Sequence, residues 1–168
     1  MSRFASPNDF FIKINQIYHL IIATPLLAFI YLYLEKREET WIAVIHDQMY
    51  LEIISYTMAP TAVALAFLGF KLFKDRIDKS FEHKSLTDKL SVFSNAFLIQ
   101  QTFFSLASAT SILGLYLTGN NMFAILYVIM LFITSIQRPS ASKVSHALKL
   151  PKEQREILTK KKPFNPDE

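Results

Sequence analysis

Residues 90–137 read LSVFSNAFLIQQTFFSLASATSILGLYLTGNNMFAILYVIMLFITSIQ and contain no charged side chain. A run of this length is too long for one buried helix, and it fits two membrane crossings of about 20 residues each. The polar turn Thr118-Gly119-Asn120-Asn121 divides the run where such a hairpin reverses direction. This stretch therefore predicts an integral membrane protein.

Two more apolar segments lie before this hairpin, which gives four predicted spans at about residues 14–34, 53–73, 92–117 and 121–137. The fourth has about 17 residues for a hydrocarbon core of about 30 Å, so its alternative is a re-entrant or surface helix. The predicted fold is all-α: a polytopic protein with four transmembrane helices in an up-down bundle. Residues 1–137 form the predicted membrane domain, and residues 138–168 form a basic tail.

The lysines and arginines are distributed very unevenly between the two predicted faces. With both termini in the cytoplasm, sixteen of the 18 lie on the cytoplasmic side. Such an excess is the usual determinant of orientation, so both termini are predicted to be cytoplasmic. The predicted location is a cell membrane, either a plasma membrane or a bacterial inner membrane. Anionic lipid is the expected partner of the basic face.

Short helices are predicted on both faces of the membrane. On the cytoplasmic side, Ser140 is placed to cap one short amphipathic helix, and Pro151 suits the first turn of another. Beyond Lys160 the charged, proline-containing end is predicted to be disordered. On the outer side, residues 40–50 have apolar residues at helical spacing, and Trp41 is a suitable anchor in the interface.

The third span carries the most polar side chains of the four. Four of them share one face at 100° per residue: Ser94, Gln101, Ser105 and Ser108. Asn95 lies in a neighbouring row. Such a face either holds helices together, with small residues and hydroxyls at the contact, or lines a path for a solute. Both interpretations remain open on the sequence alone.

His19 is the only histidine inside a predicted span, and Gln16 lies three residues earlier on the same face. We expect His19 to form a hydrogen bond with Ser94 or Asn95, which enter the membrane at a similar depth. The alternatives are haem ligation, with a second histidine from a symmetric partner, and a quinone or lipid pocket. Pro25 and Pro60 lie within the first two spans and are candidate hinges, because proline removes one helical hydrogen bond.

Several function classes receive no support from the sequence. No Asp, Glu, Lys or Arg lies in the middle of a span, which argues against proton-coupled antiport. The absence of cysteine excludes disulfides and thiolate metal sites, and no metal, cofactor or nucleic-acid partner is predicted.

Three functional hypotheses follow from these features. The first is a non-enzymatic accessory or assembly subunit that packs against its own copies or other membrane subunits. The second is a small-solute transporter or channel lined by the polar face of the third span. The third is a membrane redox or lipid-modifying enzyme subunit that uses His19.

Overall fold

A computed structural model of the chain describes residues 6–38, 43–82 and 85–160, and every regular element in these ranges is a helix. Four helices cover the four predicted apolar segments, and the first three extend beyond them at both ends. The elements, in chain order, are α1 (Pro7–Arg37), α2 (Gln48–Lys79), a 3-10 turn (Ser80–Glu82), α3 (Leu86–Thr118), α4 (Asn121–Ile136), α5 (Ala141–Ala147) and α6 (Lys152–Thr159).

Three of these helices are long and apolar enough to cross a membrane: α1 with 31 residues, α2 with 32 and α3 with 33. Helix α4 has 16 residues and is too short to qualify alone. Together with α5, from which it is sharply bent after a short break, it forms either a fourth, broken span or a re-entrant loop. By length and composition the chain is therefore consistent with a multi-pass membrane protein of three or four spans.

The predicted turn between α3 and α4 is present and is built from local hydrogen bonds. Gly119 adopts a φ of 65°, a left-handed conformation that glycine accepts without strain, and its N–H donates to the Leu115 carbonyl at 2.8 Å. The Asn120 side chain then accepts from the Met122 N–H at 2.9 Å and caps α4. Ser140 caps α5 as predicted, with a longer contact of 3.4 Å to the Lys143 N–H.

The chain divides into two compact units, and α1, α2 and α3 each contribute residues to both. The first unit consists of residues 1–19, 70–100 and 138–168. The second unit consists of residues 20–69 and 101–137. Each unit has its own buried side chains, so the two are described separately.

In the first unit, aromatic rings form a continuous group. Phe93 lies 6.3 Å from Phe10, 5.8 Å from Phe73 and 6.0 Å from Phe97, measured between ring centroids. Tyr18 extends the group, with its ring 6.2 Å from that of Phe97. These rings connect α1, α2 and α3 through edge and stacked contacts of the kind that stabilise aromatic pairs.

The C-terminal helices belong to the first unit as well. Val144, Leu148, Leu150 and Leu158 are buried, and the Arg155 side chain donates through Nε to the Leu150 carbonyl at 2.6 Å. This bond closes the turn between α5 and α6. The segment beyond Lys160 that was predicted to be disordered lies outside the described residues.

In the second unit, small residues allow close packing between helices. Ala62 and Ala66 of α2, Phe104 and Ala107 of α3, and Met130 of α4 form one buried cluster. A second cluster contains Leu115, Phe123 and Ala124. Near it, Gly114 faces the Phe123 ring so closely that any Cβ at this position would overlap the ring. Small residues at helix contacts are what membrane helix packing requires.

The predicted surface helix over residues 40–50 is wrong in the part that the structure describes. Residues 43–47 are not helical, and α2 begins only at Gln48. The N–H of Ile45 donates to the Leu117 carbonyl at 3.1 Å, so this backbone is bonded to the end of α3 instead of to its own helix. Trp41, the predicted anchor, lies outside the described residues.

Candidate functional site

A small cavity in the second unit, with a mostly apolar wall, brings together part of the polar face of α3. Gln101, Ser105 and Ser108 line it, with Tyr127 and Thr134 of α4 opposite. Its volume is about 10 Å³, which is close to the least that holds one water molecule. The remaining lining residues are apolar or proline: Ile21, Ile22, Pro25, Phe104 and Leu131.

Gln101 is the most deeply buried polar residue of the cavity, with 0% of its surface exposed. Its Nε2 donates to Oε1 of Gln137, the residue that caps the C-terminus of α4, across a long 3.4 Å. Gln101 Oε1 and Gln137 Nε2 have no partner among the described residues. Turning both amides over exchanges these roles and still leaves one donor and one acceptor unpaired. A buried amide in this state favours any polar guest that completes its bonds.

Tyr127 is the second buried polar residue without a partner. Its ring stacks on that of Phe29 with centroids 4.2 Å apart, and 1% of the residue is exposed. Its hydroxyl makes no hydrogen bond to the described part of the chain. Tyrosine hydroxyls usually find a partner when buried. The cavity wall therefore presents a second group that can bind a polar guest.

The hydroxyls of the second unit divide into two sets. Thr134 donates to the Met130 carbonyl at 2.7 Å and Ser111 to the Ala107 carbonyl at 3.0 Å, so both bond within their own helix. Ser105 and Ser108 make no hydrogen bond to the described residues and line the cavity. In both cases the acceptor is the carbonyl four residues earlier in the same helix, a common partner for helical Ser and Thr hydroxyls.

The two predicted hinge prolines occupy different environments. Helix α1 continues through Pro25, which lacks the N–H that the Ile21 carbonyl would otherwise accept, and both residues line the cavity. Pro60 lies on the exposed side of α2 and borders a wider groove of about 530 Å³ together with Tyr56, Glu52 and Asn120. Both helices are unbroken, and hinge motion at either proline remains a prediction.

Gln16 and His19 lie on the exposed side of α1, and the predicted pairing of His19 with Ser94 or Asn95 is wrong. The buried residues of this part of α1 are Pro7, Phe10, Ile14 and Tyr18, at helical spacing. His19 follows Tyr18 by one residue, which turns it about 100° away from that buried row. The contact of His19 among the described residues is an edge contact with the Tyr18 ring, at 5.3 Å between centroids. Among the described residues, no polar side chain therefore bonds to His19 in a way that would support the enzyme hypothesis.

The remaining predicted residues, Ser94 and Asn95, are both in the first unit. Ser94 is buried, whereas Asn95 is exposed and borders a groove near the end of α2. The polar face of α3 is thus divided, and the cavity takes only its Gln101, Ser105 and Ser108 portion.

Three polar residues near or in the cavity were missed by sequence reasoning: Tyr127, Thr134 and Gln137. All three lie in the fourth apolar segment, where the polar residues are few. Their spacing of seven and three residues places them on one face of a helix, which is the signal that identifies them. Comparisons with protein-family models, with curated proteins and with solved structures found no match.

Proposed function

We propose that this chain is an accessory or assembly subunit of a membrane complex, held by contacts with other membrane subunits or with copies of itself. In this arrangement α1 to α4 cross the membrane alternately as a bundle, and both termini are cytoplasmic. Sixteen of 18 basic residues then lie on the cytoplasmic side, next to anionic lipid. Helices α5 and α6 lie at that surface as amphipathic helices.

The observation that carries the proposal is the position of Gln16 and His19. They lie on the exposed side of α1, three residues apart, with no hydrogen bond to the described residues. Lys13 is the last charged residue before the apolar segment of α1. At a rise of about 1.5 Å per residue, His19 lies roughly 9 Å farther along the helix axis and therefore within that segment. Polar side chains at this depth favour a protein neighbour over lipid chains.

The burial of the spans agrees with this interpretation. The most apolar window of α3 is 50% buried, whereas the corresponding window of α1 is 6% buried. Helix α1 therefore presents most of its surface outward, to lipid or to another subunit. A partner helix on the Gln16 and His19 side gains interhelical hydrogen bonds as well as packing.

The test is purification of the tagged protein in mild detergent and in nanodiscs, with mass spectrometry of all co-purifying chains. The wild type is expected to retain a stoichiometric partner or to form a defined oligomer. The double variant Gln16→Leu/His19→Leu is expected to lose it. Thr24→Val is the control, because Thr24 is exposed on α1 but bonds the Leu20 carbonyl of its own helix. A monodisperse wild-type monomer with no recovered partner would overturn the proposal.

A second candidate function is passage of a small polar solute, favoured by the cavity that Gln101, Ser105 and Ser108 line. Its size restricts the solute to a molecule similar to water. In proteoliposomes, Gln101→Leu is expected to abolish the flux while the helix content stays unchanged. Thr110→Val is the matched control on α3, since Thr110 bonds the Leu106 carbonyl. Flux that survives Gln101→Leu unchanged excludes this lining.

A further inference from the structure

The first unit contains a groove between the end of α2 and the first turns of α3. Its volume is about 560 Å³. Helix α2 supplies Leu72, Asp75, Arg76 and Lys79, and α3 supplies Val92 and Asn95. The groove is therefore large enough for part of a lipid molecule, and its walls combine apolar, cationic and amide side chains.

The chemistry of the groove changes along its length. Leu72, Arg76 and Lys79 follow each other at intervals of four and three residues, so they share one side of α2. Leu72 is about 10 Å from Lys79 along the helix axis and lies farther from the connection to α3. Leu72 and Val92 are partly buried, whereas Arg76 and Lys79 are exposed. On α2 the apolar side chain thus lies toward the middle of the helix and the two cations toward the connection. On α3, Val92 is followed one turn farther from the connection by the amide of Asn95.

The two cations of the groove are available for an anionic ligand. Neither Arg76 nor Lys79 forms an ion pair with another described residue. The lining also contains the acidic side chain of Asp75. Together with Arg76 and Lys79 it gives the groove one net positive charge. Arginine presents a planar set of donors that matches the oxygens of a phosphate.

We propose that this groove binds an anionic phospholipid, with its phosphate on Arg76 and Lys79 and an acyl chain along Leu72 and Val92. The proposal rests on the membrane placement given above, because the cationic end must face the cytoplasmic headgroups. The order of side chains along the α2 wall is that of the lipid: charge at the surface and hydrocarbon toward the interior. A zwitterionic lipid offers no net charge to the two cations and binds less well.

The test is native mass spectrometry of the full chain in detergent, with equal amounts of phosphatidylglycerol and phosphatidylcholine. The wild type is expected to retain phosphatidylglycerol preferentially. Arg76→Gln/Lys79→Gln is expected to weaken that retention about tenfold or more, since each basic group contributes to attraction of anionic lipid. Lys71→Gln/Lys74→Gln is the matched control: it removes the same charge from exposed positions of α2 outside the groove. Equal losses in both double variants overturn the proposal.

Asp75 provides a test of opposite sign. Its carboxylate opposes the phosphate, so Asp75→Asn is expected to increase phosphatidylglycerol retention. Asp78→Asn removes the same charge from an exposed position outside the groove and is expected to leave retention unchanged. An equal increase in both variants indicates a general charge effect and contradicts a specific groove.

Two further readouts keep this proposal separate from the proposed function. Millimolar inorganic phosphate is expected not to displace the lipid, and displacement shows that the groove recognises free phosphate instead. Partner recovery is measured in the same preparations of the wild type. A wild type that lacks partners but retains phosphatidylglycerol overturns the subunit proposal alone, and one that has partners but lacks lipid preference overturns the groove alone.

Discussion

Gln101 and Gln137 form a contact in which each amide is only partly satisfied. One bond of 3.4 Å joins them, and one polar atom on each side chain has no partner among the described residues. In a low-dielectric interior an unmatched amide atom costs more than a surface one, because water cannot replace the missing bond. The effect of either side chain on the stability of the protein therefore depends on whether the other is present.

We expect Gln101→Leu to lower the free energy of unfolding by about 1–2 kcal/mol, because it removes the side-chain bond of the partly buried Gln137 amide, whose Nε2 is already without a partner among the described residues. The double variant Gln101→Leu/Gln137→Leu is expected to recover most of that loss, since it removes both polar groups. Thermal unfolding in detergent, analysed as a double-mutant cycle, measures the coupling. Additive losses would show that the two side chains do not interact.

Gly114 is the second residue whose identity is fixed by a neighbour. A methyl group at this position would overlap the Phe123 ring, which is fully buried in a cluster with Leu115 and Ala124. Gly114→Ala is therefore expected to destabilise the protein by about 1–3 kcal/mol, although alanine is the better helix former.

The measurement for Gly114→Ala is the midpoint of thermal unfolding in detergent. Leu113→Ala, one residue away on the exposed side of α3, is the control and is expected to change the midpoint little. An unchanged or raised midpoint for Gly114→Ala would show that Phe123 moves aside without cost.

At the level of helices, one charged residue connects elements that are far apart in the chain. The Lys36 ammonium near the end of α1 donates to the Gly119 carbonyl and to Oδ1 of Asn121. Gly119 follows α3 and Asn121 begins α4, so a single side chain ties three helices together. A cation is well suited to this position, because carbonyls at a helix C-terminus carry partial negative charge.

Lys36→Met is expected to lower the free energy of unfolding by about 1.5–3 kcal/mol, the usual range for hydrogen bonds to a charged group. Arg37→Gln is the matched control, because Arg37 is exposed and makes no hydrogen bond or ion pair with the described residues. Denaturation in detergent, followed by circular dichroism, gives both values. A Lys36→Met variant as stable as the control would show that the ammonium contributes no net stability.

The sequence predicts where the long helices form, but it predicts poorly which side of each helix is buried. Charge-free runs identify where helices form, since only such runs fit in lipid, and Gly119 marks the turn. The outward direction of His19 was missed because two rows of polar and apolar residues coexist on α1, and only packing decides which is buried. The apolar row of Phe10, Ile14 and Tyr18 is the one that the structure buries.

The candidate site shows the same division. The polar face of α3 predicted Gln101, Ser105 and Ser108, which do line one cavity. Two other polar residues belong to α4 and its C-terminal cap. Tyr127 also lines the cavity, and Gln137 bonds to Gln101. Their contribution depends on how α3 and α4 pack together. The two amides of that contact, on Gln101 and Gln137, are 36 residues apart in the sequence.

At the scale of the whole molecule, the absence of cysteine makes the proposed orientation directly testable. Gln48→Cys and Ser142→Cys each place one thiol at an exposed position, on either side of the proposed membrane. In intact cells, a maleimide that cannot cross lipid is expected to label the Gln48→Cys variant alone. After lysis both variants are labelled. Labelling of the Ser142→Cys variant in intact cells would reverse the topology.

The bond of Lys36 also sets an order of events during synthesis. Its two acceptors are 83 and 85 residues downstream, so a ribosome must translate all of α3 before either exists. Until then the Lys36 ammonium of the nascent chain has neither of these acceptors. The Lys36 bonds of α1 therefore form only after α2 and α3 have both been synthesised, and truncation before Gly119 removes both of its acceptors.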